Sequence, residues 1–265
     1  MKIIAYLGGL GNQMFQHAFI ESARKTGENI FTTTFSYLIK SQHNGFELSK
    51  IFGIKLYKNL LMPPIFRIIR QNDSTYCPEI LNQKKSTLFL GYWQNEKYFK
   101  PIEHHIRKIF MFPEFTEAEN LRINELIHKS NSVSIHIRRG DYCGNPLYDN
   151  CVTEKYYQNA IAFIKSKLHS PHWFIFSDDI DWCKKNLDIE GDCYFIDWNK
   201  KKNSFRDMQL MSLCKHNIIT NSSFSWWGAW LNNNLEKIII APKTWLNNCD
   251  ELNYNDICPS SWIRL

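Results

Sequence analysis

Two guanidinium groups, a glycine and a carboxylate follow one another in Val133-Ser-Ile-His-Ile-Arg-Arg-Gly-Asp-Tyr142. Ahead of them Val133, Ile135 and Ile137 alternate with Ser134 and His136, the period-two pattern of a strand. Open α/β sheets bind ligands beyond the carboxyl ends of their strands, so a charged, glycine-containing loop here is well placed to hold one. Arg138 and Arg139 carry planar forks of N–H donors, charged at any working pH, that match phosphate oxygens in pairs. Gly140 permits a sharp turn or a close backbone approach. Asp141 is then a carboxylate beside two cations. An Arg–Arg–Asp ion pair can also do no more than close a surface loop. Two arginines, Gly and Asp at the end of one apolar strand favour an anion site over that simpler role.

Two more loops have the same placement. His172-Trp-Phe-Ile-Phe-Ser177 reads as a strand that ends on Asp178-Asp179. Thr220-Asn-Ser-Ser-Phe-Ser-Trp-Trp227 follows a short apolar strand and opens a helix. One serine there is accounted for as an N-cap. Thr220, Ser222, Ser223 and Ser225 together exceed a cap, and with the free N–H groups of a helix start they suit an anion. Joined to Arg138 and Arg139 on a neighbouring strand, they suit a pyrophosphate. Near the start, Gly8-Gly-Leu-Gly-Asn-Gln13 joins a strand to a helix. A dinucleotide fingerprint needs a third glycine where Met14 stands, so that motif is not satisfied. The turn presents Asn12 and Gln13, either as a tight turn with an Asn cap or as ligand-facing amides.

The positioning elements can be read along the chain. Lys2–Leu7 is expected to be a strand and Met14 to Lys25 a helix. Thr32–Tyr37 and Thr87–Trp93 have the composition of strands. Leu60–Arg70, broken by Pro63-Pro64, is expected to be a surface helix after a proline turn, with a membrane-surface contact as the alternative. Thr116-Glu-Ala-Glu119 has the form of a capping box, with Leu121, Leu126 and Ile127 on the apolar face behind it. From there the rhythm is regular. Helices are expected over Thr153–His169, from Ser204 to Lys215 and from Ser222 onward. Strands are expected at 133–137, 172–177, 194–196, 217–220 and 237–241. Alternation of this kind means a parallel sheet with right-handed crossovers.

Composition sets the bounds. The 265 residues are long for one core and comfortable for two domains. A formal charge of +6 fits an anionic substrate or a membrane face. No block of like charge reaches the length of a nucleic-acid tail, and Lys200-Lys201-Lys202 reads as a solvated loop. Eight cysteines are scattered without a C-x-x-C pair, which argues against a zinc site and for reduced thiols in a cytoplasmic protein. Met1–Leu7 is too short for a signal peptide, and no window approaches a membrane span. The nine tryptophans are mostly core filler, Trp226, Trp227 and Trp230 included.

Three segments in order, Gly8-Gly-Leu-Gly-Asn-Gln-Met-Phe-Gln16, His136-Ile-Arg-Arg-Gly-Asp-Tyr142 and Thr220-Asn-Ser-Ser-Phe-Ser-Trp-Trp-Gly-Ala-Trp230, resemble bacterial α-1,2-fucosyltransferases of glycosyltransferase family 11. The resemblance spans nearly the whole chain. It implies an α/β fold of the GT-B type, two Rossmann-like domains facing across a cleft: 1–130 on the acceptor side and 131–265 binding GDP-fucose, with the last residues packing back on the first domain. It implies inverting transfer of L-fucose to the 2-hydroxyl of a galactose. By the same resemblance one of Arg138 and Arg139 meets the β-phosphate, His136 lies near the guanosine, Ser222 and Ser223 match the pyrophosphate loop, and Asp178 and Asp179 fall in the donor site. More distant fucosyltransferases place an aspartate before their T-x-S-S loop to read guanine, and Asp207 has that place. Asn12 would lie across the cleft from Arg138.

The expected catalytic group is therefore Arg138, Asp141 and Asn12, with Asp141 beside two arginines a poor base and a good anchor. No cofactor and no metal are expected. The partners implied are GDP-fucose and a galactose-containing oligosaccharide or lipid-linked glycan, with peripheral contact at the inner membrane face and no nucleic acid. Another nucleotide-sugar, a protein acceptor, or a binding protein without catalysis are the alternatives.

Overall fold

The computed structural model describes every residue except 40–42, 57, 62–66, 72 and 248–250, and the backbone alone of 251–253. The chain forms two compact units, Met1–Pro113 with Leu252–Pro259, and Glu114–Glu251 with Ser260–Leu265.

The first unit runs β1 (Lys2–Ala5), α1 (Leu10–Lys25), β2 (Ile30–Thr33), α2 (Phe35–Ile39), α3 (Leu48–Phe52), β3 (Ile68–Arg70), β4 (Thr87–Leu90) and α4 (Glu103–Ile109). Its strands pair in the order β2-β1-β4-β3, all parallel. Ile3 and Ile4 are adjacent yet both fully buried, the mark of a central parallel strand covered on both faces. Two expectations change here. Phe35–Tyr37 is helical rather than extended, because the Thr33 hydroxyl accepts the Phe35 N–H and starts a turn. Ile68–Arg70 is an edge strand on β4 rather than part of a surface helix. Residues 62–66 of that expected helix lie outside the described residues.

The second unit runs α5 (Ala118–Lys129), β5 (Asn131–Ile137), α6 (Glu154–Lys167), β6 (Pro171–Ser177), α7 (Ile180–Asn186), β7 (Cys193–Ile196), α8 (Phe205–Leu213), β8 (His216–Ile218), α9 (Ser223–Leu231), β9 (Ile239–Ala241) and β10 (Ile263–Arg264). The sheet order is β10-β9-β8-β5-β6-β7, again with every pair parallel. Ile135 and Ile137 of β5, Tyr157 and Ile161 of α6 and Cys183 of α7 share one core. Trp226 and Trp227 are fully buried on α9, and Trp262 packs 5.4 Å from Trp226. The capping box at Thr116 does not form. Glu117 is the N-cap residue, without a side-chain cap, and its carboxylate lies 3.3 Å from Arg206 of α8. α5 consequently turns Asn120, Ile123 and Ile127 inward and leaves Leu121 exposed.

Candidate active site

β8, β5 and β6 are neighbours in the sheet, so the loops at 220, 138 and 178 leave it side by side. Between the first two strands Ile135 pairs with Ile218, and between the last two Ile137 pairs with Ser177.

The arginine loop is held from beneath by carboxylates. Arg138 bonds Asp141 Oδ1 through Nε at 2.8 Å and Nη2 at 2.7 Å, and its Nη1 reaches Asp178 Oδ2 at 3.1 Å. Asp178 also accepts the backbone N–H groups of Arg139 and Gly140, at 2.9 and 3.1 Å. A Cβ on Gly140 would stand 2.7 Å from Asp178 Oδ2, which is why this position needs glycine. Asp179 caps α7 by accepting the Trp182 N–H and pairs with Arg139 Nε at 3.1 Å. Arg139 lies 4.1 Å above the Trp182 ring. Its Nη donors meet no protein acceptor among the described residues. The two aspartates thus fix the arginines in place. Trp182 was not singled out in the sequence, where only its position three residues after a capping aspartate hints at contact with this loop.

Tyr142 ties the arginine loop to the serine loop. Its ring stacks on Tyr148 at 4.2 Å and its hydroxyl donates to the Asn221 carbonyl at 3.2 Å. A cavity of about 210 Å³ is bounded by these tyrosines, Arg138, Arg139, Trp182 and Asn221. Ser222 accepts the Phe224 N–H at 3.3 Å as the cap of α9, and Ser225 bonds back to the Ser222 carbonyl. The Ser223 hydroxyl has no protein partner among the described residues, so it is the one of this group left to a ligand.

His136 is 6% exposed, 5.7 Å from the Phe224 ring, and its Nδ1 has no hydrogen-bond partner. Burial, with the Arg138 charge second, pushes its pKa down to about 3, so the ring is neutral near pH 7. A buried nitrogen left unpaired costs about 1–3 kcal/mol, which a bound group could offset.

Asp207 sits in the first turn of α8, against α5 and α9. Its carboxyl accepts a hydrogen bond from Asn199 at 2.8 Å, and Asn199 in turn exchanges amide bonds with Asn120. Asn120 also accepts the Trp198 indole N–H. Burial without a cation nearby pushes the Asp207 pKa up to about 8, although the residue as a whole keeps some exposure. Asn120, Asn199 and Trp198 had no motif to reveal them.

In the first unit the glycine turn distinguishes its two amides. Gln13 is fully buried, donating to the Gly8 and Gly45 carbonyls and accepting the Glu47 N–H. It is a structural staple. Asn12 is partly exposed and its Oδ1 accepts from Gln94 at 2.7 Å. Gly8 has φ 74, and a Cβ there would meet Asn12 Nδ2 at 2.6 Å. Asn12 therefore belongs to the first unit, and the other nine named residues to the second.

Among the described residues no group of three His, Cys, Asp or Glu could hold a metal ion, and no helix is long and apolar enough to cross a membrane.

The overall fold is shared with known proteins. An Arabidopsis thaliana FUT1 variant solved with GDP superposes with a TM-score of 0.53 at 10% identity, over 90% of this chain and 69% of that one. The fold is of the GT-B type, built of α/β units on parallel sheets. An Escherichia coli protein named alpha-1,2-colitosyltransferase is 37% identical, over 97% of this chain and 96% of its own length. A second from Escherichia coli, the O-antigen biosynthesis glycosyltransferase WbnK, is 29% identical over 97% and 98%. The arginine loop, the serine loop and the glycine turn all fall within residues 2–265, which match the family model described as Glycosyl transferase family 11, and the chain belongs to that family.

Proposed function

We propose that this glycosyltransferase moves L-fucose from GDP-β-L-fucose to the 2-hydroxyl of a terminal galactose, with inversion at the transferred carbon. The observation that carries this is the arginine pair at the end of β5, on the strand beside β8, whose following loop leads to the Ser222 cap and the Ser223 hydroxyl at the start of α9. As the glycosidic bond breaks, negative charge grows on the β-phosphate, and donors already fixed in place stabilise it without reorganising. Arg138 and Arg139 supply that charge, Ser222 and Ser223 border the pyrophosphate, and neutral His136 offers Nδ1 to the nucleoside side. Asp207 reads the guanine edge, accepting from N1–H and the exocyclic amine. Asp141 positions Arg138, and Asn12 orients the reacting groups. No step calls for a metal, so activity is expected to survive EDTA; a loss restored by Mg²⁺ would reverse this.

A second reading has its own support. The relative 37% identical is named for colitose, which is fucose without the 3-hydroxyl. Donor choice then turns on the groups facing that position. The acceptor is an oligosaccharide or lipid-linked glycan, with peripheral membrane contact. The test presents purified protein with GDP-fucose and GDP-colitose against a panel of galactosides and a peptide, and assigns product linkages by NMR. Transfer to galactose O2 is the expected outcome. Turnover of another nucleotide-sugar, transfer to peptide, or binding without any donor cleavage would each replace the proposal.

A further inference from the structure

The first unit presents a set of groups around the carboxyl ends of β1 and β4 of which only Asn12 has a role above. Tyr92 is 43% exposed, yet its neighbour Trp93 is fully buried with φ 56, a left-handed conformation rare for a bulky residue. Trp93 is locked there. Its ring stacks 4.7 Å from Phe19 and packs edge-on to Phe89 and Tyr98, and its backbone N–H donates to the Gln71 side-chain oxygen. This buried anchor turns the chain so that Tyr92 and Gln94, on either side of it, flank the glycine turn. Gln94 binds Asn12, while Tyr92 Cε1 lies 3.3 Å from where a Gly8 Cβ would be. The His43 ring covers Gly9, 3.2 Å from where its Cβ would be. Both glycines are thus spaces kept open for side chains that reach over the turn. The Tyr92 hydroxyl has no protein partner among the described residues.

We infer that Tyr92, Gln94, Asn12 and His43 form the subsite that holds the acceptor's terminal hexopyranose, with Tyr92 as its platform. A sugar presents one apolar face of C–H groups and an edge of hydroxyls that both donate and accept. An exposed aromatic ring beside two amides and an imidazole matches that pattern, because each amide offers a donor and an acceptor. No arginine, lysine or aspartate belongs to this group, in contrast to the arginine loop of the second unit. The phosphates are drawn to one set of residues and the uncharged sugar to another. Restraining Tyr92 through Trp93 also lowers the entropy lost when the sugar is ordered.

This rests on the galactoside-transferase reading, and the experiment separates the two. Tyr92→Ala and Tyr92→Phe are compared with wild type for the KM of methyl β-D-galactoside, the affinity for GDP, and galactoside binding by saturation-transfer NMR without donor. Tyr92→Ala is expected to raise the KM about tenfold, equal to about 1.4 kcal/mol, and Tyr92→Phe to restore it. GDP affinity stays at the wild-type value in both. An unchanged KM in Tyr92→Ala, or a parallel loss of GDP affinity, overturns the subsite. If wild type transfers nothing but binds the galactoside through Tyr92, the subsite stands and the proposed reaction falls. Absence of galactoside binding by wild type overturns the subsite as well.

Discussion

Arg138 and Arg139 differ in what they have left to give. Arg138 spends Nε, Nη1 and Nη2 on Asp141 and Asp178, whereas Arg139 spends only Nε and stacks its plane on Trp182. Arg139 therefore keeps a two-pronged edge for a phosphate, and Arg138 doubles as the hub of the loop. Either Arg→Ala change is expected to lower kcat on the order of a hundredfold or more, the usual effect of losing a donor aimed at developing charge. Arg139→Lys should not restore it, because an ammonium offers a point charge in place of a planar fork. Near-wild-type turnover in both alanine variants would remove the phosphate assignment. Asp207 makes a second test at this scale. Only its ionised form accepts from both guanine N–H groups, and burial lifts its pKa to about 8. GDP affinity should then strengthen as pH rises through that value, and Asp207→Asn should weaken binding and abolish the dependence. A folded Asp207→Asn protein with unaltered GDP affinity would return the residue to a first-turn helix carboxylate.

At the scale of elements, one side chain ties the backbone of the loop after β5 to the end of β6. Asp178 at the end of β6 accepts two amide N–H groups from the loop after β5, and Gly140 leaves it room. Gly140→Ala places a methyl where the carboxylate lies, so Asp178 must give up at least one of those bonds. A loss of about 1–3 kcal/mol of stability and at least tenfold in kcat is expected, read by denaturant melts and by turnover. Full activity in that variant would mean that the loop does not depend on Asp178. The second unit was legible in sequence because its strands and helices alternate with clear periods, and parallel order follows from that alternation. The arginine and serine loops were legible for the same reason, since a loop at a strand end is placed by the strand. What lay hidden depended on tertiary partners. β3 was misread because a three-residue edge strand carries no period, and Phe35–Tyr37 because a hydroxyl two residues earlier decided its turn. Glu117 was drawn to Arg206, 89 positions away, in place of a local cap. Gln13 and Asn12 looked equivalent until burial separated them.

Across the whole molecule, His17, His136 and Asp207 are among the buried groups that set opposing slopes on stability. His17 in the first unit and His136 in the second are lowered from 6.5 to about 4 and about 3, both chiefly by burial. A histidine kept neutral in the folded state takes up its proton mainly after unfolding, so its contribution is complete above pH 6.5. That contribution is lost as pH falls toward 4 for His17 and toward 3 for His136. Asp207 acts the other way. Its carboxyl is raised from 3.8 to about 8, so between those values the folded chain holds a proton that the unfolded chain releases. Stability then declines as pH climbs from about 4 to 8. Below 6.5 the two histidines outweigh the one carboxyl, and above 6.5 only the carboxyl remains, which puts their combined optimum near pH 6.5. Melting temperature measured every half unit from pH 4.5 to 8.5 should show that dome in wild type. In Asp207→Asn the decline between pH 6.5 and 8 should flatten, and the acid limb should steepen because the opposing carboxyl is gone. His136→Gln should soften the acid limb and leave the alkaline one. The same alkaline slope in Asp207→Asn as in wild type would mean that the Asp207 carboxyl is already ionised at neutral pH. The pH-dependent guanine contact drawn from it would fail with it.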